Sequence, residues 1–174
     1  MKYFTPELLN RVRSEDEDVS AEAHDEWEKA IQRSNRRWRR IQAGFPKAVR
    51  RFNDDRICLH AADVLRIGRS GNTFVMVLET EPPACKPVVL TFTLEGEPVI
   101  ETDTLIGVRR QAGPFYWLYE EWDIDRQQRL TFEVLLSNGW VIKLYFREFH
   151  YLIAERVMPT VNGAVTRSAL EKVS

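Results

Sequence analysis

The chain has 174 residues, 44% apolar, 29% charged and 11% aromatic, with a formal net charge of −1. That length suits one domain with its own core, and the composition excludes collagen-like, low-complexity and wholly disordered chains. No stretch approaches the roughly 20 apolar residues that span a bilayer, so no membrane association is expected.

The first third reads as helical. Thr5 is placed to cap a short helix with Pro6 at its first position and Glu7 in its first turn, running to Val12 or Arg13. Ser14 to Val19, with the acids Glu15, Asp16, Glu17 and Asp18, reads as a linker, and a longer helix is expected from Ser20, whose hydroxyl would cap it. Trp27, Ile31, Trp38, Ile41 and Phe45 recur at helical spacing and share one face. Gly44 and Pro46 break that pattern, and Pro46 restarts a short helix carrying Ala48, Val49 and Phe52 to about Asn53.

After Arg56 the period changes to that of strands. A hairpin is expected from Val64 to Ile67 and Phe74 to Leu78 around Gly71 and Asn72, followed by a loop bounded by Pro82, Pro83 and Pro87. A second hairpin is expected from Val88 to Leu94 and Val99 to Glu101 around Glu95-Gly96-Glu97-Pro98. Phe115 to Ile124 reads as an aromatic strand with Asp125 to Arg129 as its turn. Leu130 to Ser137 and Trp140 to Phe149 flank Asn138-Gly139, the pair that a two-residue type I′ turn favours. That turn sets Leu135 opposite Ile142 and Glu133 opposite Leu144, and puts Leu135, Trp140, Ile142, Leu144 and Phe146 on one face. Phe132, Val134, Leu136, Val141 and Tyr145 take the other. Both faces are apolar, so something must cover each, and the Trp27–Trp38 stripe is the candidate for one. Tyr151 to Val157 reads as a last strand. The fold expected is α+β: N-terminal helices (1–55) packed on a mostly antiparallel sheet (56–158) of the same domain, with a polar tail (159–174). The sheet should hold about six to eight strands.

Chemistry-bearing motifs are sparse. The start of the chain lacks the basic and apolar pattern of a secretory signal, so Cys58 and Cys85 are expected to be reduced and the protein cytoplasmic. Cys58 and His60 are too few for a zinc site, and no metal or cofactor is expected. Nucleophile-elbow, Walker-type and dinucleotide fingerprints are absent. The catalytic candidates are His60 and the strand carboxylates Glu120 and Glu121. The most distinctive feature is the run of arginines from Arg33 to Arg56 with Trp38 among them, preceded by acids from Glu15 to Glu28. Acids at a helix start and arginines at its end suit the macrodipole, and Asp25 and Lys29 are spaced as an i,i+4 pair. The like-charge pairs Arg33/Arg37 and Arg36/Arg40 disfavour the isolated helix and call for an acidic counter-surface. That surface is either the sheet's own Glu120, Glu121 and Glu133 or an acidic protein partner; the net charge disfavours nucleic acid.

Two stretches carry a resemblance. Met1-Lys2-Tyr3-Phe4-Thr5-Pro6-Glu7-Leu8 is similar to the start of an uncharacterised bacterial family, a domain of unknown function. Leu59-His60-Ala61-Ala62-Asp63-Val64-Leu65-Arg66-Ile67 resembles a Leu-His-Asp-x-x-Val-x-x-Ile hairpin in the same family, with Ala61 where that pattern has Asp. The resemblance implies a cytosolic bacterial protein with N-terminal helices and an antiparallel sheet, and points to no known activity. The function expected is therefore a non-enzymatic binding or interaction protein, using Arg36, Arg37, Trp38 and Arg40 or the aromatic strand with Trp117 and Trp122. The alternatives are a hydrolase-like enzyme with His60, Glu120 or Glu121 in a cleft, and an immunity-type module neutralising a dedicated partner. The oligomeric state is left open.

Overall fold

The structure is a computed structural model describing residues 1–54, 57–81, 86–102 and 115–154. The expected loop at Pro82 and Pro83, the end of the chain from 155 and the polar tail lie largely or wholly outside these residues. Helix α1 (Pro6–Val12) starts at Thr5, whose hydroxyl accepts from the Leu8 N–H at 3.2 Å. Helix α2 (Glu17–Ile41) starts earlier than its sequence suggested. Asp16 is the cap, accepting from the Asp18 and Val19 N–H groups, while the Ser20 hydroxyl donates to Val12 O and ties α2 to α1. The Asp16 carboxylate satisfies two orphan N–H groups and also meets the positive end of the helix dipole with a full charge. A 3-10 turn at Gln42–Gly44 and Pro46 separate α2 from α3 (Lys47–Asp54).

Seven antiparallel strands follow among the described residues: β1 (Asp63–Ser70), β2 (Thr73–Glu79), β3 (Pro87–Leu94), β4 (Val99–Thr102), β5 (Trp117–Ile124), β6 (Leu130–Leu136) and β7 (Trp140–Ile153). Their order is β1-β2-β3-β7-β6-β5, with β4 beside β7. The sheet curls until its two ends meet: Asp63 bridges Tyr116, and the Ala61 and Val64 N–H groups donate to Trp117 O and Phe115 O.

Three strand expectations need correction. β4 pairs with β7, not with β3, because both edges of β3 are already occupied by β2 and β7. Glu95 to Pro98 is therefore a jog between two segments lying end to end along β7, not a hairpin turn. Secondly, the β6–β7 register is one residue away from that expected: Leu135 faces Val141, Val134 faces Ile142 and Glu133 faces Lys143. The loop has three residues rather than two. The Gly139 N–H donates to Leu136 O at 2.9 Å, only Gly139 of the Asn-Gly pair takes a positive φ (80°), and Asn138 Oδ1 accepts from the Trp140 N–H. A slip of one residue exchanges faces, so Leu135 and Val141 point one way and Val134, Leu136, Ile142, Leu144 and Phe146 the other. Thirdly, Tyr151 to Ile153 continues β7 rather than forming a strand of its own.

Both faces of β5–β7 are covered, as their apolar character required. On the concave side Phe92, Phe132, Phe146, Phe149, Trp117 and Trp122 form the main core, into which α3 sends Val49 and Phe52. On the convex side Leu135 and Val141 meet Phe4, Leu8, Ala23 and Trp27. The buried carboxylate of Glu121 fastens the start of the chain there, accepting from the N–H groups of Lys2, Tyr3 and Phe4 at 2.7–2.9 Å. Burial pushes the nearby Glu133 carboxyl up, but the Met1 amino group and Lys143 outweigh this and hold it below its ordinary value.

Candidate ligand cleft

The stripe from Trp27 to Phe45 is one face of α2 and its continuation, yet it serves two cores. Trp27 and Ile31 pack on the convex side, whereas Trp38, Ile41 and Phe45 belong with the concave side. Between them the helix crosses the free edge of β5. Among the described residues that edge is free because β5 meets β1 only around Tyr116 and Trp117, and a bulge at Leu118 bends the remainder away. At the crossing neither core fills the space. A cleft of about 240 Å³ results, with Ser34, Asn35 and Trp38 of α2 on one wall and Tyr119 to Asp123 of β5 on the other. Phe4 and Asn53 contribute to its lining.

Two of the sequence candidates at its base, Glu120 and Trp122, line the cleft, and a third, Trp117, lies behind Glu120. Trp117 is buried, and its indole N–H donates to Glu120 Oε2 at 2.7 Å. Glu120, half-buried and on the concave side opposite Val134, has its carboxyl pushed above the ordinary carboxylate value by burial, against the opposing pull of the Trp117 N–H and of His60. Trp122, two residues on, packs among Phe45, Phe52, Phe92, Phe132, Phe146 and Phe149. Its indole N–H is buried and has no hydrogen-bond partner among the described residues. At the rim, Arg37 clamps Asp123, with Nε and Nη2 at 2.9 and 2.7 Å from Oδ1 and a further contact to Ile124 O.

The remaining candidates lie elsewhere or are engaged. Glu121 lines the cleft but spends both oxygens on backbone N–H groups. His60 is exposed; its Nδ1 lies 2.9 Å from Leu118 O, a carbonyl that only accepts, so Nδ1 carries the proton. Cys58 is a free, exposed thiol, and no three His, Cys, Asp or Glu among the described residues gather as metal ligands. Arg36 and Arg40 are exposed on the outer side of α2, away from the cleft. The aromatic strand is thus mostly interior: Trp117 is 1% and Trp122 7% exposed. The acids expected to face the arginines do not; Asp123 alone takes Arg37, while Glu120, Glu121 and Glu133 serve Trp117, the chain start and Lys143. Sequence reasoning missed Ser34 and Asn35, although their spacing from Ile31 and Trp38 puts two polar residues on a packing face.

Comparison with protein-family models, curated proteins and solved structures gives no match. No helix among the described residues is long and apolar enough to cross a membrane.

Proposed function

We propose that this is a non-enzymatic, cytosolic binding protein that holds a small, flat, uncharged molecule in the cleft between α2 and β5. The observation that supports this reading is the unpartnered indole N–H of Trp122 in a residue that lines the cleft. A buried donor without an acceptor costs about 1–3 kcal/mol, a cost that a ligand carbonyl would remove. Aromatic walls from Phe4, Trp38 and Tyr119 suit a flat molecule. Glu120 lies on the same strand face two residues away, about 6–7 Å along the chain, so a ligand with a donor beside its acceptor could engage both groups. A primary aromatic amide has that pattern.

The hydrolase reading has less support, because it needs a second available carboxylate and Glu121 is saturated by backbone N–H groups. A free, exposed thiol at Cys58 suits a reducing compartment.

The test follows the indole N–H resonance of Trp122, assigned by its loss in Trp122→Phe, while benzamide is titrated to millimolar concentration. Benzamide is expected to move it and toluene, which has the ring without the carbonyl, to leave it unmoved. A resonance indifferent to benzamide would end this reading.

A further inference from the structure

The outer face of α2 has a charge order that the fold itself does not use. Opposite the packed residues Ala23, Trp27 and Ala30 runs a stripe at three- and four-residue steps: Asp18, Glu22, Asp25, Lys29, Arg33, Arg36 and Arg40. All seven are exposed. None makes an ion pair with a described residue; Arg36 only donates through Nε to Gln32 O at 3.3 Å. Asp25 and Lys29, spaced to pair, are not joined. The signs are segregated rather than alternating, so almost every neighbour along the stripe repels the next. The macrodipole accounts for Asp18 in the first turn and Arg40 in the last. It does not reach Glu22, Asp25, Arg33 and Arg36, since the effect fades beyond the terminal turns.

The segregation is symmetric about Lys29. Reversing the helix end for end about that residue brings position 18 onto 40, 22 onto 36 and 25 onto 33. Each acid lands on an arginine. The two 11-residue spans from Asp18 to Lys29 and from Lys29 to Arg40 keep the stripe nearly straight along the helix.

We propose that α2 is a homodimer interface: two copies pair their outer α2 faces antiparallel about a two-fold axis at Lys29, matching Asp18 with Arg40, Glu22 with Arg36 and Asp25 with Arg33 in each direction. An acidic protein would satisfy only the arginine half, and a nucleic acid would be repelled by the acidic half; a second copy of this chain satisfies both halves and leaves one like-charge pair, Lys29 against its own copy on the axis. The contact is a strip about 33 Å long and about 10 Å wide, smaller than a standard interface, so the dimer is weak and salt-sensitive. It uses the side of α2 away from the ligand cleft and does not depend on it.

Sedimentation equilibrium of the full chain tests this at about 0.01 M and about 1 M salt, where the screening length is ~30 and ~3 Å. Dimer is expected at low salt and monomer at high salt. Arg36→Glu and Glu22→Arg should each weaken the homodimer about tenfold or more, because the two-fold axis turns one reversal into two repulsive pairs. Mixed in equal amounts they should form a heterodimer, since one chain then presents two acids to two arginines of the other. That rescue also shows that both variants are folded. A wild-type chain that stays monomeric at low salt overturns the proposal, as does a dimer indifferent to either reversal or a mixture with no heterodimer.

Discussion

Glu120 is half-buried, and its carboxyl carries two opposing influences. Its carboxyl receives the Trp117 N–H, which favours the charged form, yet burial outweighs that bond and the group titrates above its ordinary value of 4.5. The folded state therefore holds this proton more tightly than the unfolded chain. Its contribution to stability is complete below 4.5 and is lost as pH rises through the raised value. Glu120→Gln keeps an oxygen for Trp117 and removes the titration. The variant is expected to match the wild type in urea midpoint near about pH 4 and to exceed it near about pH 8. Ala61 has a different kind of strain: it sits at φ 63°, a left-handed conformation that Asp, the residue in the resembling pattern, adopts more easily.

The β6–β7 hairpin carries the fold's most exacting local geometry. Its loop is also a junction: Ser137 donates its N–H to Tyr116 O, accepts at Oγ from the Tyr116 N–H, and offers its carbonyl to Arg13. Gly139 alone takes the positive φ that closes the loop. Gly139→Ala should cost about 1–2 kcal/mol, read from the urea midpoint, because an L side chain resists that conformation. The same loop marks the limit of what the sequence discloses. Asn-Gly announces a hairpin, but not whether Asn138 opens a two-residue turn or sits inside a three-residue one. The choice is made by Ser137, whose contacts come from residues distant in the chain. The existence of the helices, the α+β class and the need to cover both sheet faces were legible, because they depend on neighbours three or four positions away or on alternation, whereas the start of α2 was set four residues too late, at Ser20 instead of Asp16. The pairing of β4 with β7 was not, since nothing local to Glu95–Pro98 reports that both edges of β3 are taken. The cleft was half legible: Ser34 and Asn35 stood on an apolar face, but the unmatched Trp122 N–H exists only once α2 has crossed β5.

Over the whole molecule, two cores lie back to back across β5–β7, and they differ in how they are held. The concave one is enclosed by sheet and α3, while the convex one depends on the chain start remaining fastened by Glu121. Phe4 reaches Trp27 and Tyr119 from that anchored segment, with ring centres 5.4 and 4.6 Å away. Glu121→Ala should thus lose about 2–4 kcal/mol. Hydrogen exchange should locate the loss: amides of Lys2 to Phe4 and of α1 become fast, while those of β3 and the centre of β7 keep their protection. Equal loss of protection everywhere would mean the two cores melt as one.

The length of β7 has a consequence for how the chain is made. Its 14 residues hydrogen-bond to β3 and β4 along one edge and to β6 along the other. As the polypeptide leaves the ribosome, the β1–β2–β3 meander emerges with one long apolar border unpaired until β7 follows. That waiting border is the segment most exposed to misassociation with other nascent chains, and a chaperone bound there would be released by the arrival of a single strand.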